Sequence, residues 1–141
     1  MWQSCKIKSK PEERQGVYKA MKIQLHAKRD GITKLGPGTR FVVWTQGCPR
    51  SCPGCMTAAS QQMNGGFSAD TKQLAEEILQ SGRHGLTISG GEPFLQAKAL
   101  ADLIQEVRKK TDLGVMIYTG FTLEELQEAD NSDYNLLLEQ C

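Results

Sequence analysis

The chain has no apolar run approaching the roughly 18 to 20 residues needed to cross a bilayer, so no membrane span is expected. Its first ten residues are polar and basic and lack the apolar stretch of a secretory signal. Neither sign of charge is in excess: 17 Lys and Arg face 16 Asp and Glu, a net charge of +1. With no basic surface implied, nucleic acid is not an expected partner, and neither is a membrane. By default these absences predict a cytoplasmic protein. What remains is ordinary: 39% apolar and 23% charged residues suit a soluble globular chain, and 141 residues suffice for one domain with a real core.

The cysteines are not ordinary. Cys48, Cys52 and Cys55 lie within eight residues, while Cys5 and Cys141 sit near the chain ends with no spacing signal and read as incidental thiols. An odd count without a secretory signal argues against a disulfide framework. Tight clustering in a reducing compartment points to metal. Thiolates are the usual ligands of iron–sulfur clusters, and a cubane normally takes four. Three at C-x3-C-x2-C spacing leave one iron without a protein ligand, an open position where a substrate can bind, as in catalytic zinc sites. Gly47, Pro49, Pro53 and Gly54 keep such a loop tight. Two other readings stay open. Zinc could take the three cysteines with His84, His26 or Cys5, although no second pair at zinc-finger spacing is present. A redox-active Cys52-x-x-Cys55 in a thioredoxin-like setting would leave Cys48 unexplained.

Residues 1–20 read as a poorly ordered or peripheral arm, and residues 21–141 as the folded domain. Residues 21–26 alternate apolar and polar, which suits an edge strand. Turn residues at 34–39 lead into a β-branched and aromatic run at 40–45, a buried strand that ends where the cysteine loop begins. Asp70 is placed to cap a helix carrying Leu74, Ile78 and Leu79 on one face, with Gln73 at the capping-box position. Residues 85–89 form a short strand ending in Gly90 and Gly91. Leu100, Leu103, Ile104 and Val107 recur at the spacing of an amphipathic helix, and 114–118 is another buried strand, stopped by Thr119-Gly120. Thr122 and Glu125 form a capping box for a helix with Leu123 and Leu126. Residues 134–138 are too few to classify. Strands separated by helices imply right-handed βαβ units and a parallel sheet, with ligands beyond the carboxyl ends of the strands. The cysteine loop, residues 89–92 and Thr119-Gly120 all fall there.

Several residues have a plainer reading. Trp44 suits the core, His84 a cap at a helix-to-strand turn, and 108–110 a solvated helix end that complements the helix dipole. Gly65-Gly66 suits a flexible turn, and Arg40 serves equally as a flanking charge or part of a substrate-facing wall.

Cys48-Pro-Arg-Ser-Cys52-Pro-Gly-Cys55 resembles the C-x3-C-x2-C signature of the radical SAM superfamily, and Ser89-Gly-Gly-Glu92-Pro93 resembles its Gly-Gly-Glu motif. Together with Gly36-Pro-Gly-Thr-Arg40, Gly47-Cys-Pro, Ile88-Ser-Gly-Gly-Glu-Pro-Phe94 and Tyr118-Thr-Gly-Phe-Thr-Leu-Glu-Glu-Leu126, they are similar to the anaerobic ribonucleoside-triphosphate reductase activating proteins, over roughly residues 36–130.

The resemblance implies an α/β fold: a partial (βα) barrel, with a curved, mostly parallel sheet, helices outside, and a C-terminal end shorter than the family's usual one. It implies that Cys48, Cys52 and Cys55 ligate one [4Fe–4S] cluster whose open iron is chelated by the amino and carboxylate groups of S-adenosylmethionine (SAM). Gly90, Gly91 and Glu92 would hold the methionine amino group, and Thr119 would touch SAM. Where many relatives carry an aromatic residue near adenine this chain has Gly54, so adenine contact falls to backbone there or to another segment. A flavodoxin-like donor would reduce the cluster, SAM would break to methionine and a 5′-deoxyadenosyl radical, and that radical would take a hydrogen atom from a glycine of a large glycyl-radical enzyme. No acid–base catalytic side chain is required. The alternatives are a radical SAM enzyme modifying a small molecule or peptide, and a non-enzymatic iron–sulfur or zinc protein.

Overall fold

Asp70 shows how closely the elements are joined. It is the last residue of a strand and the N-cap of the next helix, its carboxylate accepting from the N–H groups of Lys72 (2.9 Å) and Gln73 (3.2 Å). The computed structural model describes residues 20–141 and the backbone of Trp2–Ser4. It contains strands β1 (Trp2–Ser4), β2 (Lys22–Ile32), β3 (Arg40–Thr45), β4 (Phe67–Asp70), β5 (Gly85–Gly90) and β6 (Gly114–Tyr118). Its helices are α1 (Thr71–Ser81), α2 (Ala97–Arg108), α3 (Leu123–Glu128) and α4 (Ser132–Leu138). The capping box expected at Thr122 and Glu125 is present in both directions.

The six strands form one open sheet in the order β1-β6-β5-β3-β2-β4. The fold is α/β, but the sheet is mixed rather than mostly parallel. β3, β5 and β6 run parallel, while β1, β2 and β4 join antiparallel. Helices carry the chain back between β5 and β6, so those strands repeat direction. A short turn joins β2 to β3, which reverses it. Two further expectations need correction. β2 is not an edge strand, because β4 pairs with its first four residues. It also continues to Ile32 through the polar residues Lys28, Arg29 and Asp30, with register shifts at two places along β3. The arm expected over residues 1–20 lies outside the described residues, apart from the short β1 and residue 20.

Alternation along the strands sorts their side chains. Ile23, Leu25, Phe41, Val43, Leu86, Ile88, Val115 and Ile117 join Leu74, Ile78, Leu100, Leu103, Ile104, Val107, Leu126 and Leu137 in one buried cluster. Fully burying such side chains stabilises by about 1.5–3 kcal/mol each before entropy is subtracted. Trp44 lies outside this cluster and is half-buried on the opposite face of the sheet. No helix among the described residues is long and apolar enough to cross a membrane.

That opposite face is closed at the N-terminal ends of the parallel strands by Arg40, which is 5% exposed. Its guanidinium donates to Thr87 Oγ1 (2.7 Å) and to the carbonyls of Leu86 (2.9 Å), Gly114 (2.8 Å) and Pro37 (3.2 Å). Burial pushes its pKa below the ordinary arginine value, yet a guanidinium keeps its proton. Arg40 therefore clamps the far end of the sheet. Arg40→Met is expected to cost about 2–4 kcal/mol by orphaning these acceptors, read by urea denaturation of the iron-free protein, with iron uptake unchanged.

Candidate functional site

β3 and β5 lie side by side in parallel, Trp44 opposite Ser89 and Thr45 opposite Gly90. Each strand therefore releases its next residues at the same edge. There the two segments are joined backbone to backbone: Gly91 N–H donates to Thr45 O (2.8 Å) and Glu92 N–H to Gly47 O (2.9 Å). A Cβ on Gly91 would collide with Gly47 O and lie 2.9 Å from Ser60 O. On Gly90, at φ +105°, it would collide with the backbone of Thr45. The protein's own packing thus demands both glycines, before any ligand is considered.

The cysteine loop leaves this seam and returns to it. Gly47 N–H donates to Ser60 O (2.7 Å) and Cys48 N–H to Gln61 O (3.1 Å), in the 3-10 turn Ala58–Gln61. Cys55 N–H donates to Cys52 O (3.3 Å), which folds the loop around Pro53 and Gly54. Gln46 is 4% exposed, and its side-chain amide donates to Ala59 O (3.0 Å) and Gln62 O (2.7 Å). Gly65-Gly66 is no flexible turn: a Cβ on Gly66 would collide with Leu25 O, and Gly65 O accepts from Gln24 Nε2 (2.9 Å).

Glu92 is 1% exposed. Its Oε1 accepts from Phe94 N–H (3.1 Å) and the Thr119 hydroxyl (2.7 Å), and its Oε2 from Gly120 N–H (2.9 Å). A carboxylate buried this deeply is tolerated only when it is satisfied in this way. It ties the ends of β5 and β6 together.

Cys48, Cys52, Cys55, Gly90, Gly91 and Glu92 line one solvent-open cleft of about 410 Å³, together with Arg50, Ser60, Gln61 and Gly120. Two expected site residues do not line it. Gly54 stands in open space in the left-handed region (φ +71°). Thr119 points its hydroxyl at Glu92 and borders a separate apolar pocket. Arg50 and Gln46 escaped the sequence reading. Arg50 lies inside the cysteine spacing, which says nothing of intervening residues. Gln46 had one signal, a polar residue ending a buried strand.

Cys48, Cys52 and Cys55 are free thiols. Among the described residues no three His, Cys, Asp or Glu side chains converge on a single metal ion. Of the further ligands a zinc site would need, neither His84, exposed at the far end of β5, nor His26 on β2 lines the cleft, while Cys5 is outside the described residues. A cubane presents its irons at separate corners, and three thiols lining one cleft can each take one.

A model of the 4Fe-4S single cluster domain matches residues 34–141. The chain belongs to this family. It is similar to anaerobic ribonucleoside-triphosphate reductase-activating proteins: that of Escherichia coli (strain K12) is 30% identical over 111 residues, 72% of this chain and 71% of the relative. That of Vibrio cholerae serotype O1 is 30% identical over 106 residues, 69% and 68%. The pyruvate formate-lyase-activating enzyme of Staphylococcus epidermidis is 33% identical over 95 residues, 62% of this chain and 38% of the relative. With these relatives, membership makes the protein a radical SAM enzyme whose cofactors are one [4Fe–4S] cluster and S-adenosylmethionine.

The seam yields a test that spares every thiol. Gly91→Ala is expected to introduce about 1–3 kcal/mol of strain and to cut iron and sulfide uptake severalfold on anaerobic reconstitution. Undiminished uptake would mean the loop is not held by this contact.

Proposed function

We propose that the protein cleaves S-adenosylmethionine reductively at a [4Fe–4S] cluster held by Cys48, Cys52 and Cys55, and installs a glycyl radical on a partner enzyme such as an anaerobic ribonucleotide reductase. The observation that carries this reading is that the three thiols and Gly90-Gly91-Glu92 line one cleft at the ends of neighbouring parallel strands. When bound, the cluster supplies one low-potential electron to the sulfonium of SAM, breaking its bond to C5′ and giving methionine and a 5′-deoxyadenosyl radical able to take a hydrogen atom.

The chain's own part is to bind and orient. Three thiolates leave one iron position open for the amino and carboxylate groups of SAM. Gly90, Gly91 and Glu92, which line the same cleft as the thiols, would meet the methionine end of SAM there. With three protein donors already on the Glu92 carboxylate, one acceptor direction of about four is left for an ammonium group. Thr119 acts on SAM through Glu92, and the backbone at Gly54 is free to meet the adenine. No side chain has to move a proton.

The finer fold reading, a partial (βα) barrel over residues 21–141, belongs to the same proposal and is supported by the three parallel strands that release the site segments at one end. A flavodoxin-like electron donor and a cytoplasmic setting complete it.

The deciding experiment is anaerobic reconstitution with iron and sulfide, then reduction with dithionite in the presence of SAM. Methionine and 5′-deoxyadenosine are expected in equal amounts from the wild type. None is expected from Cys48→Ser, Cys52→Ser or Cys55→Ser, whereas Cys141→Ser behaves as the wild type. A spectroscopically intact cluster yielding no 5′-deoxyadenosine would sink the proposal. Cleavage without a glycyl signal on an added reductase would redirect it to a small-molecule or peptide substrate.

A further inference from the structure

We propose that the guanidinium of Arg50, held at the cleft by Phe121 and Glu125, sets the reduction potential of the cluster by stabilising its reduced form. This rests on the cluster assigned above to Cys48, Cys52 and Cys55, and not on what the enzyme activates. Arg50 lies between the first two of those cysteines, so its backbone is part of the binding loop. Its side chain crosses to the end of β6. The guanidinium carbon lies 4.8 Å from the centre of the Phe121 ring, a cation–π distance. Nη2 is 4.0 Å from Glu125 Oε2, and Cδ would lie 3.1 Å from a Cβ placed on Gly120. These contacts keep the charge at the cleft instead of in bulk water.

Arg50 is the only Lys, Arg or His among the described residues lining the cleft, which otherwise gathers three thiols and a carboxylate. Glu125 offsets it only in part. The pair sits at the limit of contact, with side chains 39% and 54% exposed, and the same Glu125 oxygen accepts from Thr122 N–H (2.7 Å). Glu92 is engaged by its own three donors. Reduction moves one electron from an external one-electron donor onto the cluster, making it more negative by one charge. A nearby cation therefore favours the reduced form over the oxidised one, and net charge is among the recognised determinants of cluster potential.

The measurement is a dye-mediated redox titration of the reconstituted protein, without SAM, followed by the electron paramagnetic resonance of the reduced cluster. In Arg50→Gln the reduced-to-oxidised ratio at fixed poise is expected to fall about tenfold, a midpoint about 59 mV more negative for a one-electron couple. Arg50→Lys, which keeps the charge, should stay near the wild type. Glu125→Gln should raise the midpoint, and glutamine also serves at this capping-box position. A fully loaded Arg50→Gln with the wild-type midpoint overturns the proposal, as does an Arg50→Lys midpoint as low as that of Arg50→Gln. If Arg50→Gln takes up no cluster, a Glu125→Gln midpoint that does not rise overturns it. Wild-type protein assayed in parallel for 5′-deoxyadenosine judges the proposed function separately, since the titration needs neither SAM nor partner.

Discussion

A buried carboxylate destabilises a protein unless hydrogen-bond donors meet its oxygens. Glu92 finds its three donors on two stretches of chain: the turn that follows it, and the end of β6 with the Thr119 side chain and the Gly120 backbone. Its own N–H holds Gly47 O, next to the first cysteine. The ends of β5 and β6 are therefore joined by its side chain, and the end of β3 is joined to them by its backbone. Loss of that acid would take the acceptor from the Phe94 and Gly120 N–H groups and the Thr119 hydroxyl, and would untie the end of β5 from the end of β6. The residue that borders the cleft is thus also the one that builds it.

The two ends of the parallel strands are held by opposite means. At the near end an anion gathers N–H and O–H donors; at the far end the cation Arg40 gathers carbonyls. Neither makes an ion pair among the described residues, and each works by hydrogen bonds to backbone groups and to one threonine hydroxyl. The far end is sealed and the near end stays open, which leaves the thiols reachable while the sheet beneath them is fixed.

Much of this was legible in the sequence. The cysteine spacing and the Gly-Gly-Glu segment point to their chemistry because ligand count and backbone clearance are local properties. β3, β5, β6 and α2 follow from their apolar patterns, and the caps at Asp70 and Thr122 from side chains that accept from the next turn. The rest depends on partners far along the chain. β4 has four residues, and its pattern means nothing until β2 lies beside it. The polar half of β2 hides its strand character, because exposed edges carry no alternation. Strand direction is not encoded in periodicity at all, which is why a mixed sheet was read as parallel. Glu92 was legible as a site residue, whereas its burial and its bond to Thr119 were not.

The direct junction at Asp70 has a consequence for how the helical layer is aimed. Asp70 pairs with Lys22 in the sheet while it caps α1, and Thr71 ties back to Met21 and across to Asp102 of α2. No spare residue separates strand from helix, so the strand's register sets the helix's rotation. Deleting one residue between Gly66 and Asp70 would turn α1 by about 100°. That would bring Lys72 and Glu76 to the buried positions now filled by Thr71 and Ala75, and turn Leu74 and Ile78 toward solvent. Variation in loop length at this position is therefore excluded by geometry, whereas the solvent-facing turn around Gly38, where a side chain would meet nothing within 4 Å, has no such restriction on bulk.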